Sequence, residues 1–126
     1  MRTLNRVTLL GNCTRDAELK ATTNGQSVCT LGLATNRVWK DSTGNQQTLT
    51  EFHNLVTWGH LAEFSSQHVK KGKPLYVEGY LKTRAWDDPE SGKKLYRTEI
   101  VVENLILLSP KEASDAALAP VEDTPF

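Results

Sequence analysis

The sequence predicts a mainly β fold: a five-stranded Greek-key barrel with one helix between the third and fourth strands, then a flexible C-terminal tail. Three observations predict it. Five stretches show the period-two apolar alternation of half-buried strands, separated by turn signals. A single stretch, HLAEFSSQHVKK, has helical spacing. From Ser109 the patterning stops.

Leu4 to Asn12 is the first strand, closed by Gly11-Asn12. Thr14 to Gln26 is polar and ends in Asn24-Gly25, a strong turn signal. Ser27 to Trp39 is the second strand, with Cys29, Leu31 and Leu33 on one face and Val28, Thr30, Gly32 and Ala34 on the other. Gly32 marks a bend or a close backbone approach. A polar loop from Lys40 to Thr48 leads into the third strand, Leu49 to Trp58. On it Phe52, Asn54, Val56 and Trp58 share one side, and His53, Leu55 and Thr57 the other.

Gly59 breaks the strand pattern. His60 to Lys71 reads as a helix, with Leu61, Phe64, His68 and Val69 on one face and a stop at Gly72-Lys73-Pro74. Lys70 and Lys71 suit the negative end of the helix dipole and are read as solvent charges. The fourth strand, Leu75 to Trp86, alternates apolar Leu75, Val77, Gly79 and Leu81 with Tyr76, Glu78, Tyr80, Lys82, Arg84 and Trp86. The loop Asp87 to Lys94 returns the chain into the fifth strand, Leu95 to Leu108. This order fits an OB-type barrel. Residues 1–108 form the folded domain and 109–126 the tail.

Composition narrows the function. The chain has 126 residues, enough for one domain with a modest core. No apolar run approaches a membrane span, and Met1 to Asn5 lacks a signal-peptide core, so a soluble, non-exported protein is expected. Lys+Arg and Asp+Glu are 15 each, yet residues 111–126 hold Lys111 against Glu112, Asp115, Glu122 and Asp123. The body is therefore basic by three charges and the tail acidic by three, which points to an anionic ligand for the body.

The candidate ligand groups are aromatics beside cations. A lone strand aromatic is usually core. Trp39 and Trp86, however, abut charged hairpin loops and have cations within three residues, a poor setting for burial. Trp39, Phe52, Trp58 and Trp86 are read as stacking surfaces, and Arg37, Lys40, Lys82, Arg84 and Arg97 as phosphate contacts. Flat rings interleaved with cations are what a single-stranded nucleic acid needs. Glu78 and Glu99 are read as cross-strand partners of Lys or Arg, with a carboxylate pair as the rarer alternative. Cys13 and Cys29 are read as buried free thiols, with a disulfide as the unsupported alternative. The spacings of these cysteines with His53, His60 and His68 match no metal motif, and no nucleophilic or phosphate-cradling motif occurs, so no metal, cofactor or enzymatic activity is expected.

The phrases LNRVTLLGN, NGQSVCTLGLAT, WKDSTG, TEFHNLVTWGHLAE, VKKGKPLYVEGYLKTRAW and RTEIVVENLILL resemble the bacterial single-stranded DNA-binding protein family, from about Leu4 to Leu108. The last residues, Glu122, Asp123, Thr124, Pro125 and Phe126, resemble that family's acidic tip. The resemblance implies an OB-fold homotetramer that binds single-stranded DNA without sequence preference. It implies a cytoplasmic, nucleoid-associated protein that recruits replication, recombination and repair proteins through the tip. It implies base stacking at Trp39, Phe52, Trp58 and Trp86. Phe52 stands where the family often has Trp, and Trp58 where Phe is frequent. His53 and Tyr76 fall at its subunit contacts. The tail is shorter than in many members, and Thr124 replaces the usual aliphatic residue. The rival reading is an OB-fold primosome-type adaptor whose main ligand is another protein.

Overall fold

The computed structural model describes residues 1–108. The expected tail, 109–126, with its tip residues Glu122 to Phe126, lies outside the described residues.

The elements are β1 (Val7–Cys13), β2 (Glu18–Ala21), β3 (Ser27–Lys40), β4 (Gln46–Trp58), α1 (His60–His68), β5 (Pro74–Asp87) and β6 (Lys94–Leu107). They form one sheet in the order β1-β5-β6-β4-β3-β2, and a β1–β3 pairing at Asn12–Ala34 and Cys13–Leu33 closes it into a barrel. The five expected strands are all present. Two features of the strand topology differ from expectation. Strand β2 is additional: the Asn24-Gly25 turn folds Glu18–Ala21 back onto β3. Its four residues are all exposed, so it has no apolar face to reveal it. Closure also includes one parallel pairing, β4 with β6 at Leu55–Ile100 and Val56–Val101. The helical crossover and the β5–β6 hairpin bring β6 alongside β4 in the same direction.

The core is built from the inward residues of each strand: Cys29, Leu31 and Leu33 from β3, Leu55 from β4, Leu75 and Val77 from β5, and Ile100 and Val102 from β6. Burying each of its leucines stabilises the fold by about 1.5–3 kcal/mol. Cys13 and Cys29 are free and buried, and burial pushes both thiols above their ordinary pKa. Of the expected helix face, Leu61 packs against the core and Val69 is buried, but Phe64 and His68 are exposed. Ala62 and Ser65, with Val69 just beyond the helix, are buried, whereas Phe64 is 41 % exposed and stacks 4.7 Å from His68. The small residues Ala62 and Ser65 are the buried ones where the helix packs against β3 and β4.

At Gly32 and Gly79 a close approach depends on glycine. A Cβ at Gly32 would overlap the Thr14 hydroxyl, and one at Gly79 would overlap the Val101 carbonyl. Gly79 also sits at a register shift, where Glu78 pairs Asn104 but Gly79 pairs Val102. The bulge leaves Glu103 as the extra residue of β6 and bends the strand around the barrel.

The arms of both long hairpins run further than expected, so the loops shrink to 41–45 and 88–93. Each loop is organised by one aspartate. Asp41 Oδ1 accepts from the Thr43 amide (2.9 Å), the Thr43 hydroxyl (2.7 Å) and the Asn45 amide (2.9 Å). Asp88 accepts from the Ser91 hydroxyl (2.7 Å) and the Glu90 amide (3.2 Å). These donors, the threonine and serine hydroxyls first, lower both carboxyl pKa values. A lowered pKa means that ordering is complete at neutral pH and lost as pH falls through the native-state value. Asp41→Ala is expected to speed amide exchange at Thr43 and Asn45 at neutral pH, and its difference from wild type to fade on acidification. Unchanged protection in the variant would remove Asp41 as the organiser of the loop.

Candidate nucleic-acid interface

The β3–β4 register decides which side chains share a surface. Paired residues of antiparallel strands lie on the same face. Ala34 pairs Phe52, Gly32 pairs Asn54 and Val28 pairs Trp58, which puts Phe52 and Trp58 on the outer face of the barrel. Leu31–Leu55 and Cys29–Thr57 point into the core. The expected division of β4 therefore holds. Val56, on the outer side, is nevertheless buried (7 % exposed), where it meets β6 at Val101.

On the second hairpin, Lys82 pairs Glu99, Arg84 pairs Arg97 and Trp86 pairs Leu95, and all six share the outer face. Phe52, Trp58 and Trp86 thus belong to one curved surface. Trp39 does not. It pairs Gln47 and shares parity with Arg37, Thr35 and the core residue Leu33, so it projects from the opposite face of the β3–β4 arm. None of the four rings is core: Phe52 is 71 % exposed, and Trp39, Trp58 and Trp86 lie between 38 and 42 %.

Between Trp58 and the second hairpin lies a groove of about 510 Å³, with Arg15, Lys20, Arg84, Arg97 and Glu99 in its lining. Arg84 and Arg97 were legible as cations on alternating strand faces. Arg15 and Lys20 were not singled out, because the connection that holds them has no alternation, and only the folding of β2 onto β3 carries Lys20 to the groove. Asn54 was also missed as a site residue: Arg97 Nη2 donates to its Oδ1. Among the described residues, no ion pair engages Arg37, Lys40 or Lys82. Arg84 differs, since its Nε lies 3.3 Å from Glu99 Oε1. Glu78 meets Arg6 at 3.6 Å, so both glutamates partner arginines rather than each other. Two arginines lie over indoles: Arg37 is 5.2 Å from the Trp39 ring centre and Arg84 is 5.1 Å from that of Trp86.

The expected subunit-contact residues lie elsewhere. Tyr76 is half-buried in a cross-strand row with Leu10 and Ile106, which are 39 and 52 % exposed. His53 Nε2 is 2.9 Å from the Thr35 hydroxyl. Leu10, beside Tyr76, and Thr35, beside His53, both line a smaller groove of about 220 Å³. Among the described residues, no cluster of His, Cys, Asp or Glu has the arrangement of a metal site, and no helix is long and apolar enough to cross a membrane.

An outer surface of π-faces beside arginines offers stacking to flat rings and attraction to an anionic backbone. Comparison with known proteins agrees with that chemistry. The profile of the single-strand binding protein family matches residues 4–108. The chain belongs to that family. A single-stranded DNA-binding protein 1 from Chlorobaculum tepidum is 47 % identical over 112 residues, covering 89 % of this chain and 69 % of the relative. Among solved structures, a Plasmodium falciparum SSB in complex with ssDNA superposes with a TM-score of 0.79 at 30 % identity, covering 86 % of this chain and 98 % of that one. A deletion mutant of the single-stranded DNA-binding protein from Thermus aquaticus gives 0.76 at 27 % identity, covering 86 % of this chain and 52 % of that one.

Proposed function

We propose that this chain binds single-stranded DNA without sequence preference, protecting it during replication, recombination and repair. The observation that supports this best is the outer surface itself: three exposed rings, Phe52, Trp58 and Trp86, share it with a groove lined by Trp58, Arg15, Arg84, Arg97 and Lys20 as well as Glu18 and Glu99, in a member of the single-strand binding family. Bases stack on those rings and on Trp39, while Arg37, Lys40, Lys82, Arg84 and Arg97 meet phosphates. Arg15 and Lys20 extend the cationic wall. Because Trp39 faces away from the other three rings, a strand that touches all four must pass over the edge of the β3–β4 arm. No step of this function needs catalysis or a cofactor.

Residues 1–108 serve as the DNA-binding domain and 109–126 as an acidic tail. The protein assembles as a homotetramer in the cytoplasm, on nucleoid DNA. The row Leu10–Tyr76–Ile106, with Leu10 and Ile106 exposed and Tyr76 half-buried, and the His53–Thr35 pair supply the subunit contacts. The tip, Glu122 to Phe126, recruits partner enzymes through its acids and terminal Phe. The adaptor alternative is less well supported, since it leaves the exposed rings and the arginine-lined groove without a ligand.

The test is a binding titration with oligo(dT). Phe52→Ala should weaken affinity by about 1–3 kcal/mol, with little change in melting temperature because the ring is exposed. With Z phosphates neutralised, log affinity should fall against log salt with a slope near ~0.7Z. A flat salt response, or Phe52→Ala binding like wild type, would count against this surface. For assembly, light scattering should give four times the 14.0 kDa chain mass. Deletion of residues 122–126 should abolish capture of repair and replication enzymes while sparing oligo(dT) binding. Undiminished capture would sink the recruitment role.

A further inference from the structure

Two carboxylates line the groove proposed to take the DNA: Glu18, exposed beside Lys20, and Glu99, which is the more buried of the two. Glu99 lines the groove with its side chain only 14 % exposed, and each of its oxygens repels an approaching phosphate. Its geometry suggests a reason for its presence. Glu99 Oε1 holds Arg84 at Nε, 3.3 Å away, and the Arg84 guanidinium lies 5.1 Å from the centre of the Trp86 ring. Arginine presents five donors in a fixed planar fork. Engagement is through Nε, so the two terminal nitrogens carry no ion pair among the described residues, while the guanidinium lies over the indole. Trp86 stands near the tip of a hairpin arm, 38 % exposed, with Arg84 as the cation over its ring.

We propose that Glu99 is a positioning residue: it locks Arg84 against Trp86, so that one indole face and the terminal guanidinium nitrogens are pre-set for a base and its adjoining phosphate. The inference rests on the single-strand reading above. The molecule contains its own contrast. Arg37 covers Trp39 in the same i, i+2 relation, but among the described residues it has no carboxylate partner. The Trp86 stack is therefore the held one and the Trp39 stack the adjustable one. Pre-organisation of this kind raises affinity by removing the cost of ordering the side chains on binding.

The test turns on sign. Simple electrostatics says that Glu99→Gln, which removes a negative charge from the groove, tightens DNA binding. Positioning says that it weakens binding. The measurement uses the full chain with Trp39→Phe and Trp58→Phe, so that Trp86 is the sole tryptophan of the three. Oligo(dT) titrations are followed by Trp86 quenching, and the anisotropy of Trp86 is recorded without DNA. Glu99→Gln should weaken binding about three- to ten-fold, the scale of a lost ion pair and cation–π contact, with lower Trp86 anisotropy. In an Arg84→Ala background it should add no further loss. Arg84→Lys, at an exposed position where folding is not at risk, keeps the charge but loses the planar fork and should weaken binding to a similar extent. Tighter or unchanged binding by Glu99→Gln, an additive loss in the Arg84→Ala background, or wild-type affinity in Arg84→Lys overturns the inference and leaves the single-strand reading intact. A parent protein that does not bind oligo(dT) overturns both.

Discussion

The structure depends on one register, the thirteen pairs that run from Val28–Trp58 to Lys40–Gln46 between β3 and β4. Because side chains alternate, this register sends Leu31, Leu33 and Leu55 inward and Phe52, Asn54 and Trp58 outward in the same stroke. A slip of one residue on either strand would bury rings and expose leucines. The core enforces the register. At about 1.5–3 kcal/mol for each buried leucine, a slipped hairpin is far from competitive. The outer surface is thus held in place by the inner one, and the exposed aromatics need no packing of their own to be presented.

The cations fall into distinct sets. Arg84 and Arg97 are already engaged, by Glu99 and Asn54, and so sit in defined positions within the groove. Arg37 lies over Trp39 without a carboxylate partner, and Lys40 and Lys82 make no ion pair among the described residues. A flexible anionic chain met by both kinds of cation is fixed at a few points and adjustable at others. That combination suits binding that ignores sequence, where each base offers a π-face but a different outline. The aspartate-organised loops act at the far ends of the same arms, limiting the conformations of the segments beside Trp39 and Trp86.

Much of this was legible in the sequence because the strands are half-buried and their alternation is clean. Leu55 and Thr57 inside, Phe52 and Trp58 outside, follow from counting by two along a single strand. What was not legible depends on contacts between distant segments. Lys20 reaches the groove only because β2 folds onto β3, and four exposed residues give no periodic hint of that. The buried residues of α1 are Ala62 and Ser65 while Phe64 stays exposed, a choice made by which side of the helix meets β3 and β4. Trp39 looked like a companion of Phe52 from its neighbours alone; its place on the opposite face needs the register across the loop. The Arg97–Asn54 bond spans strands β6 and β4, 43 residues apart, and no local rule finds it.

The central claim is that the exposed rings are the surface on which unpaired bases stack. Intrinsic tryptophan fluorescence tests it most directly, titrating the protein with oligo(dT) and with a duplex of equal length. The account predicts strong quenching and a blue or red displacement of the emission with the single strand and little response to the duplex, whose bases are already stacked on one another. Equal quenching by both would mean that the protein responds to phosphate charge alone. Binding of oligo(dT) with no change in emission would place the DNA away from Trp39, Trp58 and Trp86 and contradict the account.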